Sequence, residues 1–130
     1  MKILFLENSK LEYDGYDIDS DKLRGAEFAF IHHALGLSKL GHDIYVINNC
    51  KYNRIISGVH WININGLKKN IKIKSDIAIT NADANLFKLV ESNRNYIFSH
   101  SIQNLEKRRV YSGLIFTREL VANIDPGRII

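Results

Sequence analysis

Two compact apolar runs, residues 3–6 and 44–47, bracket one long helical stretch, and this arrangement constrains the fold more than anything else in the chain. The stretch, residues 24–42, opens on Arg24-Gly25-Ala26-Glu27 and closes on Gly41-His42. Phe28, Ile31 and Leu35 fall in one row at helical spacing, and Phe30, Ala34 and Leu37 in another. So wide an apolar face is what a helix packed on a sheet presents. Gly41 suits the left-handed residue that ends a helix. Strand, loop, helix, strand makes a βαβ unit, and such units build parallel sheets.

The alternation continues down the chain. Residues 2–7, 43–48, 59–64, 77–80, 96–98 and 113–116 read as six short strands. Residues 84–91 read as a helix, and residues 49–58 as a loop or short helix. The strand runs are mostly apolar throughout, the pattern of strands covered on both faces. The expected fold is α/β: a Rossmann-like, open, mainly parallel sheet with helices on both faces, in a single domain.

Several classes are excluded. No apolar run approaches the roughly 20 residues that span a bilayer, and the apolar start is too short for a signal peptide. Cys50 is the only cysteine, so neither an intrachain disulfide nor a cysteine-based zinc site is available. A cytoplasmic protein is expected. Lys plus Arg number 18 against 14 Asp plus Glu, a net charge of +4 that permits an acidic partner without demanding one. Lys68, Lys69, Lys72 and Lys74 read first as a solvated edge. If they share a face with Lys107, Arg108 and Arg109, a weak contact with an anionic membrane is expected, peripheral to its inner face. No nucleic-acid partner is expected.

In an open parallel sheet, ligands collect at the carboxyl ends of the strands. Glu7, Asn8, Asn48, Asn49, residues 81–83, His100, Thr117 and Arg118 all follow apolar runs and are the candidates. Arg24, Gly25, Ala26 and Glu27 join them through the loop. The first amides of that helix have no partner inside it, Gly25 leaves room for a ligand, and Arg24 adds a fixed charge, so a phosphate or carboxylate is expected there. The loop 8–24 is long and acidic. Its Asp17-x-Asp19-x-Asp21 spacing invites a calcium reading, but Lys22 and Phe28 stand where an EF-hand needs glycine and glutamate. His32 and His33 point about 100° apart and cannot share an ion. No metal and no cofactor is expected. Dinucleotide, P-loop and nucleophile-elbow motifs are all missing.

A short N-terminal strand, a loop, Gly25-Ala26-Glu27, an apolar helix and Leu37-x-x-x-Gly41-His42-x-Ile44-x-Val46 resemble the N-terminal half of a family 4-like GT-B glycosyltransferase. Where that family usually has a first glycine, this chain has Arg24. Asp125-Pro126-Gly127 resembles the approach to its interdomain linker. The resemblance implies glycosyl transfer from a nucleotide-sugar donor to a carbohydrate or lipid-linked acceptor, without a metal. It implies a catalytic-site contact from His100 to the donor sugar near the reacting carbon. It also implies that residues 1–130 are the acceptor-side domain alone, completed by a C-terminal donor-binding domain or a partner subunit. Two other readings stay open: a non-catalytic module docking on a catalytic subunit, and an unrelated phosphate- or nucleotide-binding Rossmann-like domain.

Overall fold

The computed structural model describes residues 1–68, 70–99 and 113–116. Among these residues seven strands form one sheet: β1 (Lys2–Leu6), β2 (Asp43–Asn48), β3 (Arg54–Ile56), β4 (Val59–Asn63), β5 (Ile73–Asn81), β6 (Val90–Ser99) and β7 (Gly113–Phe116). Their spatial order is β3-β4-β2-β1-β5-β6-β7, and every pairing is parallel except that of β3 with β4. Setting β3 aside, the chain builds outward from β1 through β2 to β4, then returns to the other side of β1 with β5. This is the doubly wound order, and its switch point lies between β1 and β5. The expected α/β, Rossmann-like, mainly parallel sheet is the fold observed.

Alternate residues along each strand feed two cores. Ile3 and Phe5 face the helix α1 (Gly25–Lys39) with Ile44, Val46, Trp61, Ile79 and Phe98. Leu4 and Leu6 face the other way, with Ile47, Ala78 and Ile97, and meet the 3-10 helix Ala84–Leu89. Helical structure therefore covers both faces, an α-helix on one and, on the other, the 3-10 helix Ala84–Leu89 with the shorter Ile64–Gly66, whose Ile64 packs on the same core. The α1 face is carried by Phe30, Ile31 and Ala34, all buried, with Phe30 edge-on to Phe5 at 5.1 Å between ring centroids. Phe28 is not part of it. It is exposed and packs on His32 one turn along. Gly41 ends the helix as expected, at φ 96°, with Gly41 N–H bonded to the Ser38 carbonyl and His42 N–H to that of Leu37.

Three boundaries differ from the sequence reading. Residues 54–56 form β3, joined to β4 by a two-residue turn in which Ser57 and Gly58 both have positive φ. That is the tight hairpin geometry, and it places a short antiparallel strand at the sheet edge. Strands β5 and β6 begin well before their apolar segments and pair from Ile73 with Val90 to Asn81 with Phe98. The helix expected over 84–91 is a 3-10 helix ending at Leu89, because β6 takes the chain from Val90.

Candidate functional site

The parallel register aligns the ends of four strands. Asn48 is level with Asn63, and Leu6 is level with both Ile47 and Thr80, so Glu7 stands between Asn48 and Asn81. Glu7 N–H extends the ladder by one bond to the Ile47 carbonyl at 3.0 Å. Asn63, Asn48, Glu7 and Asn81 thus make a polar row across the carboxyl edge. Each occupies the position where the apolar strand stops.

Glu7 is the centre of this row. It is only 4% exposed, yet both carboxylate oxygens are served. Oε1 accepts from the Tyr13 hydroxyl at 2.7 Å and Oε2 from the Asn81 side-chain amide at 2.6 Å. Asn48 in turn donates to the Tyr13 carbonyl at 3.0 Å, which fastens the loop to the sheet. Burial pushes the Glu7 carboxyl above its usual range, and the Glu27 charge adds to the effect. The two hydrogen bonds and Arg24 work against it. Tyr13 is held above the usual phenol range, first by its own burial and then by the Glu7 charge.

Glu27 brings the second carboxylate to this edge from the first turn of α1. The helix's first internal bond runs from Phe28 N–H to the Arg24 carbonyl, so Glu27 lies among the free amides, where the dipole favours a negative charge. Arg24 closes over it. Its Nε and one Nη donate to Glu27 Oε1 at 3.1 and 2.5 Å. The partition is unequal: the Arg24 side chain is 74% exposed, whereas Glu27 is 3% exposed. Glu27 Oε2 is buried and has no hydrogen-bond partner among the described residues. Asn48 Oδ1 and Thr80 Oγ1 share that condition.

The sequence candidates divide accordingly. Glu7, Asn48, Asn81 and the segment Arg24-Gly25-Ala26-Glu27 come together at the switch point. Gly25 has an ordinary negative φ, and a Cβ built on it meets nothing within 4 Å, so it leaves open space beside the helix start rather than satisfying a backbone need. Arg24 is engaged by Glu27, and an anion arriving here would share it with a carboxylate. His100, Thr117 and Arg118 lie outside the described residues. Tyr13 was not among the candidates. Its signal in the sequence is slight: one of two tyrosines in an acidic loop, between Glu12 and Asp14.

Other groups are structural. Asp17 bonds the Asp14 N–H and pairs with Lys22 at 3.8 Å. Among the described residues no three His, Cys, Asp or Glu side chains are grouped to hold a metal ion. Burial pushes the Cys50 thiol up, away from the thiolate that a nucleophile needs. No helix among the described residues is long and apolar enough to cross a membrane. No protein-family model, curated protein or solved structure matches the chain.

Proposed function

We propose that the chain is the acceptor-side domain of a GT-B-type glycosyltransferase, and that its switch-point edge takes hydroxyls of a carbohydrate or lipid-linked acceptor. The observation that carries this reading is the Glu27 carboxylate, buried at the helix start with one oxygen paired to Arg24 and the other without a donor among the described residues. A buried acceptor atom left unpaired is costly, and native structures almost always satisfy it. A sugar hydroxyl, directly or through a bridging water, is a neutral donor of suitable size. The electrostatics agree. Glu7 and Glu27 lie close enough to influence one another, and the single Arg24 charge, paired to Glu27, is shared between the two. Such an edge suits hydroxyl donors better than phosphates. The doubly wound strand order supports the same placement, since ligands of open α/β sheets bind at the switch point. On this reading the nucleotide sugar is held chiefly by a second domain or partner subunit, and His100 belongs to the proposal by resemblance alone.

The test is nuclear magnetic resonance of the labelled chain titrated with maltose, lactose, UDP-glucose and GDP-mannose. The expected result is that a saccharide shifts the side-chain amide signals of Asn48 and Asn81 and the backbone amides of residues 25–27. Glu27→Gln, folded by circular dichroism, should lose those shifts. If only the nucleotide moiety binds, or if shifts fall away from this edge, the acceptor reading is overturned.

A further inference from the structure

Two loops leave the carboxyl edge beside the polar row, residues 7–24 after β1 and residues 49–53 after β2, and each presents an exposed tyrosine. Tyr16 is 70% exposed and Tyr52 is 56% exposed. The guanidinium of Arg54, at the start of β3, lies between them, 4.6 Å from the Tyr16 ring centroid and 5.8 Å from that of Tyr52. A single exposed aromatic needs no explanation, but these two are held in place. Asp14, almost fully buried, accepts from Arg54 Nε at 3.1 Å and from one Nη, both on Oδ2. Its Oδ1 accepts the Tyr16 N–H at 2.9 Å. The loop beneath is seated just as firmly: a Cβ on Gly15 would lie 2.9 Å from Ile56 Cγ2 and 3.1 Å from Trp61 Nε1. One carboxylate therefore fixes both the arginine and the backbone of the first tyrosine.

We propose that Tyr16, Arg54 and Tyr52 form a platform on which a pyranose ring of the acceptor stacks, one subsite out from the Glu7–Glu27 row. The inference rests on the acceptor reading above and adds the place where a further sugar unit is gripped. Three features select this ligand chemistry. Tyrosine offers rigid, amphipathic area at low entropic cost, and the carbon–hydrogen face of a sugar ring lies flat on it. Arg54 carries the Asp14 carboxylate already, so the platform's own guanidinium is balanced, and Lys51 Nζ, 5.4 Å from the Tyr52 ring centroid, adds an ammonium donor for hydroxyls. The guanidinium has five N–H donors, and those not given to Asp14 are suited to ring and hydroxyl oxygens.

Saturation-transfer resonance on the full chain, with methyl β-glucoside, methyl β-galactoside, cellobiose, lactose and uridine as probes, decides the matter. At least one disaccharide should receive saturation across the ring that its matching monosaccharide lacks. Tyr16→Ala and Tyr52→Ala should each weaken that disaccharide about threefold to tenfold, tenfold being 1.4 kcal/mol. Ile55→Ala, on the exposed side of the same short strand, should leave it unchanged. Both tyrosines are exposed, so thermal melts of the variants should match the parent. Disaccharide binding that resists both tyrosine changes but is lost in Glu27→Gln overturns the platform and leaves the acceptor reading standing. Uridine binding that is lost in Tyr16→Ala, without any disaccharide binding, overturns the sugar assignment. Absence of saturation transfer to every saccharide overturns the platform and the acceptor reading together.

Discussion

Glu7 receives a phenol and an amide, yet burial and the neighbouring Glu27 still hold its proton on more firmly than water would. The consequence for stability has a definite sign. The folded chain keeps a proton on Glu7 at pH values where the unfolded chain, near 4.5, has lost it. Stability from this group is therefore complete below the unfolded value and is lost as pH rises through the folded one. Glu7→Gln removes the titration while leaving an acceptor for Tyr13. Its melting temperature should exceed the parent's at pH 7, and the gap should close by pH 4; a constant gap would show that Glu7 does not titrate between the two states. Gly41 makes a separate claim. At φ 96° it closes α1, and a Cβ there is strained whatever space surrounds it. Gly41→Ala should cost about 1–2 kcal/mol in urea denaturation without altering ligand binding.

The helix α1 and the strands beneath it were legible in the sequence because burial writes itself into apolar spacing. Phe30, Ile31 and Ala34 lie at the expected interval, and Phe30 meets Phe5 and Phe98 at 5.1 and 5.9 Å. Phe30→Ala should cost about 3–5 kcal/mol, measured by denaturant titration, since a fully buried ring leaves a cavity on a sheet that cannot collapse. What periodicity could not reveal lies in water. Past the buried Val90, the stretch Glu91-Ser92-Asn93-Arg94-Asn95 of β6 is held by its ladder to β5 rather than by a core, so it has no apolar signature. The strand β3 is three residues long and mostly exposed, and only the Ser57-Gly58 pair before Val59 hints at its turn. The site was legible in part for a related reason. Glu7, Asn48 and Asn81 stand where apolar runs stop, so strand ends alone locate them. Tyr13 and the Asp14–Arg54 pair depend on how a 17-residue stretch between Asn8 and Arg24 folds back, and no spacing rule encodes that.

All six parallel strands release the chain at the same edge, so the polar row, the start of α1 and the tyrosine platform are gathered there. Lys72 and Lys74 precede and open β5 and are exposed at the opposite, amino edge. A lipid surface held by those lysines would lie about 23 Å from the carboxyl edge, the rise of the seven steps from Lys74 to Asn81 along β5. On the proposed reading, a GT-B cleft has two walls and this chain would provide one. Incubated alone with UDP-glucose or GDP-mannose and a saccharide, it should release no nucleotide above the spontaneous rate in a coupled phosphatase assay; sustained turnover would show that residues 1–130 suffice. One further property belongs to the molecule as a whole. Trp61 is the only tryptophan, buried under the seated loop between Tyr13 and Gly15. Every photon of indole emission thus comes from a dry position beneath the segment that carries Tyr13, Asp14 and Tyr16. Its emission should be blue-shifted at rest and move to the red whenever that segment lifts, giving the protein an intrinsic optical gauge of whether its carboxyl edge is assembled.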